Sequence, residues 1–511
     1  MKTKSLTWRK ISQVFFFLLF TLTLLQATYP FKPWLPPELF LWFDPLAAIT
    51  TQIAGRFFDI VFLLAAIILI SPLIFGRAFC GWICPMGTLI DASDHILKPK
   101  KRRDFRHLRF LKLAILTAVI VLAIFGVQYA WLLDPLPIAW RSIGVIGLAF
   151  FFLLSDSILS GLISIGIFPD ALLSFQDKIA GFLFPVASPN FGGLVAPLII
   201  FLIILGLSRL SRRFWCRYLC PLGALLGLVA RISPLRRIVD ADKCSACGIC
   251  RHKCKMDAIE PDFVTTAKSE CILCLNCKYD CATEAISFGW RAPTQMMNKV
   301  DLSRRAFIGT SLTALAGVGF LKINKVNPRH SDRLIRPPGA LNEDDFLERC
   351  IRCGECVRIC STSGKCLQFS VLESGLEGFM TPLAEYRRGY CEYNCNLCGQ
   401  ICPTKAIQPL NVSAKQKAKM GQAIFLKDRC IPYRLNENCI VCEEHCPIPD
   451  KAIKINTREY EDPVTGRKRM VSYPYVDEAL CIGCGICENK CPLNGEAGII
   501  VIREGEERSR A

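Results

Sequence analysis

The sequence predicts a multi-domain chain: an α-helical membrane bundle of four spans plus a fifth, central anchor, joined to small cysteine-rich α+β modules on both sides of the membrane. Three observations predict it. Apolar stretches at about 11–29, 56–76, 111–131 and 193–209 each approach the ~20 residues that cross a bilayer. From about residue 238 the composition turns polar, and most of the 29 cysteines crowd after Cys244 in runs spaced by two or three residues. Between two such groups of runs, residues 301–323 are again apolar and rich in small side chains. The domains read as 1–237 (membrane), 238–300 (first cysteine-rich module), 301–323 (anchor) and 324–511 (second cysteine-rich module).

The membrane part comes first. A hydrophobic content of 52% fits a chain partly immersed in lipid. The net charge of +18 is clustered where apolar segments end, in "LKPKKRRDFRHLR" (97–109) and "SRLSRRFWCR" (208–217), as the positive-inside rule expects, and no nucleic-acid-binding motif accompanies it. Lys2, Lys4, Arg9 and Lys10 place the amino terminus in the cytoplasm, and the loops that follow the second and fourth spans then face the same side. The stretch 141–186 is also apolar, but Asp156, Asp170, Asp177, Lys178 and several glycines interrupt it; it reads as interfacial or re-entrant helices on the outer side.

The bundle is duplicated. "RAFCGWICPMGTL" (77–89) recurs as "RFWCRYLCPLGAL" (213–225), and "WFDPL" (42–46) recurs as "WLLDPL" (131–136). Each copy reads span, Asp-Pro, span, Cys-x3-Cys-Pro. Pseudo-symmetry would gather Cys80, Cys84, Cys216 and Cys220 at the cytoplasmic end, where three readings stand: a further metal centre, a dithiol relay, or a brace for the turn. Arg77 and Arg213, three residues before each first cysteine, either stabilise a thiolate or cluster or meet lipid phosphate.

The first module carries "CSACGICRHKC" (Cys244, Cys247, Cys250, Cys254) and "CILCLNCKYDC" (Cys271, Cys274, Cys277, Cys281). This Cys-x2-Cys-x2-Cys-x3-Cys spacing is that of bacterial ferredoxins. Three thiolates in one loop bind three corners of a [4Fe-4S] cubane, and the fourth cysteine serves the other cluster. The expected sets are Cys244, Cys247, Cys250 with Cys281, and Cys271, Cys274, Cys277 with Cys254. A zinc ribbon would leave the third cysteine of each run idle. Lys255 and Ala282 replace the usual proline after the fourth cysteine, which softens the turn but removes no ligand.

The anchor begins "DLSRRAFIGTSLTALAGVGFLKI", the form of a twin-arginine export signal, here inside the chain. Ala314-Leu315-Ala316 falls early in the run, so an uncleaved fifth span is expected, with residues 324–511 outside. That route moves folded cargo, which a domain already loaded with clusters requires. The outer module supplies Cys350, Cys353, Cys356 and Cys360; Cys391, Cys395, Cys398 and Cys402; Cys430, Cys439, Cys442 and Cys446; and Cys481, Cys484, Cys487 and Cys491. With the inner sets these make about six [4Fe-4S] clusters. Cys366 is left over and reads as a surface or core thiol. The five histidines lie outside every span, and no Cys-x2-Cys-His, Walker loop or dinucleotide fingerprint occurs, so no haem, flavin or nucleotide site is expected.

With its two Cys-x3-Cys-Pro phrases and following two-cluster module, the first half resembles the membrane H subunit of the periplasmic nitrate reductase system. The second half, with "RPPGA" (336–340) and "ERCIRCGECVRIC", resembles that system's G subunit and the related methylamine-utilisation ferredoxin M. The resemblance covers nearly the whole chain. It implies bacterial ferredoxin-like modules on an inner-membrane bundle, passing electrons from the quinol pool to a periplasmic terminal reductase, cytochrome or other redox carrier. By the same resemblance, the first outer set exchanges its fourth cysteine with the fourth set, and the second with the third. Asp44 and Asp134, at outer ends of spans, are then candidates to accept a quinol proton; an aspartate before proline is equally what a helix start wants. A competing function from another class is an assembly or maturation factor for a metalloenzyme.

Overall fold

The computed structural model describes residues 4–27, 33–97, 105–165, 174, 195–290, 302–326, 332–371, 373–463 and 466–509. Asp170, Asp177 and Lys178, with residues 166–173 and 175–186 of the expected outer-side insertion, lie outside the described residues, as do residues 98–104 of the basic run at 97–109. The chain divides into two units. The first comprises Met1–Gln26, Trp34–Gly144 and Val195–Lys322, and the second Ala27–Pro33, Val145–Leu194 and Ile323–Ala511.

The first unit opens with helix α1 (Lys4–Leu25). A series of shorter helices then follows in each copy of the duplicated bundle. In the first copy, α2 (Pro45–Ala54) is followed by α3 (Leu63–Phe75), α4 (Ala78–Trp82) and α5 (Pro85–Leu97). Gly76 closes α3 at φ +57°, ψ −155°, a conformation open only to glycine, and so reverses the chain just before Arg77. The second copy runs through α6 (Arg109–Ile124), α7 (Pro135–Arg141), α9 (Val195–Gly206) and α10 (Pro221–Val229), while α8 (Leu148–Ser164) belongs to the second unit. Asp44 and Asp134 cap α2 and α7 with their side chains, and Pro45 and Pro135 open the first turns.

The helix lengths differ from the sequence expectation. Three helices among the described residues are long and apolar enough to cross a membrane: Trp8–Leu25, Arg106–Ile124 and Pro135–Ser164. The last of these runs through a region expected to be interfacial or re-entrant. A π-turn at Ser142–Gly147 carries the helix past two glycines, and a lone Asp156 does not break it. Ile60–Phe75 and Val195–Arg209 are apolar but shorter. Residues 304–326 form one helix, α13 (Arg304–Val326), yet it falls outside the three. Its glycines and hydroxyls dilute the apolar run, and Thr310, Ser311 and Thr313 return their hydroxyl protons to carbonyls four residues back. Large apolar side chains stand exposed along α8, including Phe150, Phe151 and Ile158, the surface that lipid rather than water suits.

The unit ends in a small module in which β1 (Leu235–Val239) pairs antiparallel with β2 (Ile286–Trp290), bracketing both inner cysteine runs. In the second unit β3 (Leu367–Phe369) pairs with β4 (Pro382–Ala384), β5 (Gln422–Phe425) with β8 (Ile499–Ile502), and β6 (Ile453–Glu461) with β7 (Lys468–Val476). The arginine of "RPPGA" explains that motif here. Arg336 is buried, lies over Phe346 at 4.8 Å, and donates to Glu343, to Thr381 Oγ1 and to Pro382 O.

Candidate iron–sulfur sites

The regular cysteine runs share one backbone. In "CSACGIC" the residues at positive φ are Ala246 and Gly248; in "CILCLNC", Leu273 and Leu275; in "CIRCGEC", Arg352 and Gly354; and in "CIGCGIC", Gly483 and Gly485. Each pair flanks the second cysteine. Left-handed residues on either side of a cysteine turn amide N–H groups toward a common centre, the nest geometry of anionic clusters. Non-glycine side chains seldom adopt such angles, so Ala246, Leu273, Leu275 and Arg352 mark loops whose shape is imposed by what they surround. The two stretched runs lack this doublet. Three residues after the fourth cysteine, Asp257, Glu284 and Lys405 again have positive φ. The turn is therefore the same after Cys254 and Cys281, which lack the proline, as after Cys402, which has it.

In the inner module, Cys254 lies among Cys271, Cys274 and Cys277, and Cys281 packs with Cys250 around Ile259 and Ile286. Cys254 and Cys277 share that core with them, so the two runs meet in one place. The outer module departs from the resemblance. One cavity is lined by Cys350, Cys353 and Cys356 of the first run together with Cys402 of the second. Another gathers Cys391, Cys395 and Cys398 with Cys360. Cys491 lies beside Cys430, and Cys446 beside Cys484. Exchange thus joins consecutive runs, first with second and third with fourth, because α15 (Glu355–Cys360) packs on the short helix of the second run, Leu397–Gln400. Cys366 is a core thiol, 3.9 Å from Cys360 Sγ at the edge of the second cavity.

These cavities fit a cubane. Among the described residues, no three His, Cys, Asp or Glu side chains close to the spacing of a single bound ion. A cluster takes one thiolate at each of four iron corners and asks for a wider set. Burial pushes the Cys391 thiol up to about 11 and Cys484 up to about 12, and holds Cys356 and Cys398 well above the ordinary thiol range. Thiolates so placed need the positive charge that iron would bring.

The most constructed region of the first unit is where the Cys271–Cys277 loop sits on the duplicated bundle. Cys80 and Cys216 pack on Met256, Ala258 and Ile272, the same small core that holds Cys254, Cys271 and Cys274. A Cβ at Gly81 would lie 2.5 Å from Ile272 O, and one at Gly227 would lie 2.8 Å from Ser269 O, so both glycines permit the approach. Trp82 Nε1 donates to Leu273 O at 3.1 Å. Arg77 donates to Ser269 O at 2.6 Å and pairs with Glu270 at 3.3 Å, and Lys112 closes on the same carboxylate. Arg213, fully buried, clamps Asp91 through Nε at 2.8 Å and Nη2 at 3.0 Å and reaches Cys80 O and Gly87 O. Lys255, standing where the usual proline would, pairs with Asp91 at 2.9 Å.

All four phrase thiols are neighbours. Cys84 Sγ accepts from Gly87 N and Cys220 Sγ from Gly223 N, at 3.4 and 3.2 Å, so each thiol caps the helix its proline opens. Two of the four sulfurs thus brace turns. Each arginine has a carboxylate partner, Glu270 for Arg77 and Asp91 for Arg213, and each also stands beside phrase thiols, Arg77 by Cys80 and Cys220 and Arg213 by Cys216. Glu270, Asp91 and Lys112 were not singled out by sequence reasoning, and Lys255 was noted only as replacing a proline; the local signal was a glutamate directly before Cys271 and a lysine directly after Cys254.

Known proteins carry the same signatures. Residues 49–104 and 194–239, each framing one Cys-x3-Cys-Pro phrase, match a family model described as a 4Fe-4S binding domain, and residues 474–494 match a second of the same description. Methylamine utilization ferredoxin-type protein MauM of Methylorubrum extorquens is 34% identical over 194 residues, covering 37% of this chain and 82% of that protein. MauM of Paracoccus denitrificans is 33% identical over 223 residues, 43% of this chain and 92% of its own length. Ferredoxin-type protein NapG of Escherichia coli is 34% identical over 186 residues, 36% of this chain and 77% of its own. No solved structure matches. Iron–sulfur electron transfer is the chemistry these cysteine loops serve, and the chain belongs to the family of MauM and NapG ferredoxin-type proteins.

Proposed function

We propose that the chain is a membrane-bound electron-transfer protein that oxidises quinol and delivers electrons through about six [4Fe-4S] clusters to a periplasmic reductase or redox carrier. In this reading the first half acts as a membrane quinol dehydrogenase component fused to the MauM and NapG type module, which the twin-arginine segment carries outside. The ligands are the twenty-four cysteines of the six runs.

One observation carries the proposal: the Cys271–Cys277 loop is seated on both membrane repeats by Arg77, Lys112, Trp82 and Gly81, and Cys80 and Cys216 pack against its core. A free-standing ferredoxin has no use for a loop locked this way. The cluster of Cys254, Cys271, Cys274 and Cys277 is then the proximal one, and that of Cys244, Cys247, Cys250 and Cys281, with Cys247 exposed, is distal. Purified protein in lipid should show cluster reduction on adding menaquinol or ubiquinol, read by electron paramagnetic resonance. Spectra that respond to dithionite but to neither quinol would sink the quinol reading.

A further inference from the structure

Asp44 and Asp134 are the like residues of the two membrane repeats, and both are completely buried. Oδ1 of Asp44 accepts from the amides of Leu46 and Ala47 at 3.1 and 3.3 Å, and Oδ1 of Asp134 accepts from Leu136 N at 3.4 Å. That accounts for one oxygen of each carboxyl. The other, Oδ2, has no donor among the described residues in either case. The two carboxyl groups lie within hydrogen-bonding reach of one another. Two acceptors that meet in a buried site without a donor between them need a proton there, because paired carboxylates out of water cannot both stay ionised.

We infer that Asp44 and Asp134 form one proton-binding site at the junction of the repeats, holding a single shared proton. Arg141, buried at the end of α7, is the charged group facing the pair; it acts on Asp134, lies over the Trp131 ring at 5.1 Å and donates to Trp131 O at 3.4 Å. With one proton shared, the pair carries one negative charge and Arg141 one positive, so the buried group is neutral as a whole. The remaining negative charge can bind a second proton. If the membrane unit oxidises quinol, as proposed above, each quinol gives up two electrons and two protons; the electrons pass to clusters, one proton neutralises the pair, and the other leaves to bulk water.

Asparagine separates this role from simple capping, since it caps a helix as well as aspartate but cannot be titrated. Asp44→Asn and Asp134→Asn should fold and load clusters like the parent. In the parent, infrared spectra at neutral pH should show the carbonyl stretch of a protonated carboxyl group. Either single substitution should abolish it, because the new amide donates to the surviving carboxylate and replaces the shared proton. Quinol-driven cluster reduction should slow by about 100-fold in both variants, with dithionite reduction unchanged. Absence of the band in the parent, or its persistence in both variants, overturns the shared proton. Variants that lose the band but keep the parental quinol rate overturn the acceptor role. If the parent itself ignores quinol, the quinol reading fails separately and the band alone decides the pair.

Discussion

The two Cys-x3-Cys-Pro repeats carry the same arginine three residues before the same cysteine, yet the arginines do different work. Arg213 stays within the bundle. Its guanidinium grips Asp91 and two carbonyls of the other repeat, and its own amide donates to Asp94. Arg77 lies against Cys80, Cys220 and Gly223 of the bundle and reaches on to the cysteine loop, taking Ser269 O and Glu270. Duplication supplied two equivalent clamps; one now holds the repeats to each other and the other holds the first ferredoxin module to the repeats. The lesson is that a repeated motif fixes what a residue can do, while its neighbours decide what it does.

Substitutions should break these roles separately. Arg213→Ala is expected to have the largest effect, because it leaves Asp91 short of its bidentate partner and two buried carbonyls without a donor. Losing one member of a buried pair costs about 3–5 kcal/mol. Yield and thermal stability of the whole first unit should fall, and normal stability would mean that Arg9 and Lys255, which also meet Asp91, suffice.

Arg77→Ala should spare the bundle and loosen the loop. Quinol-linked reduction of the proximal cluster should fall about 10- to 100-fold, the usual cost of removing an outer support of a metal site. Glu270→Gln tests the same contact from the other side. Burial raises the Glu270 carboxyl, but Lys112 and then Arg77 outweigh it and hold the group below the ordinary glutamate range. A depressed folded-state value means the stabilisation is complete above the ordinary value and is lost as pH falls through the depressed one. Docking should therefore be constant across neutral pH and weaken only in strong acid, and Glu270→Gln should reproduce the acid state at pH 7. A neutral-range pH dependence that survives in Glu270→Gln would place the titrating group elsewhere.

Gly81→Ala is the next step down. Its Cβ would stand 2.5 Å from Ile272 O, so the loop must shift, at about 1–3 kcal/mol. An altered proximal-cluster signal with an unchanged distal one would confirm that Gly81 serves the loop.

The contrast also shows what could be read from the chain. The cluster loops were legible because cubane binding demands three thiols in seven residues, and the same backbone returned in four of the six runs. Which fourth cysteine completes each set was not, since spacing is silent on which runs pack together; the outer exchange joins consecutive runs through α15 and Leu397–Gln400 instead of distant ones. The helix caps at Asp44 and Asp134 followed from Asp-Pro, but the meeting of the two carboxyls is a product of the duplicated fold. The continuous helix Pro135–Ser164 was not legible because a charge and several glycines were weighed as breaks, whereas a π-turn carries the helix past the glycines at Gly144 and Gly147. The Arg77–Glu270 pair joins residues 193 apart, a distance at which no local pattern operates.

The smallest effect should come from the most conspicuous residues. Cys84 and Cys220 sit in corresponding places, and both sulfurs are occupied in accepting an amide proton at the start of a helix. Serine fills that role at least as well, so Cys84→Ser and Cys220→Ser should each change stability by no more than about 0.5 kcal/mol if capping is the whole of their work. Cys80 and Cys216 differ, because neither caps a helix and both face the core of the proximal loop. The informative measurement is quinol-linked cluster reduction in all four single serine variants. Equal, small changes throughout would make the phrases a structural brace. Loss confined to Cys80→Ser and Cys216→Ser would set the inner pair of sulfurs beside the electron path and leave the outer pair as caps. Loss in all four, with caps intact, would require the four thiols to act together, and iron and sulfide content measured on the same samples would then show whether a seventh centre goes with them.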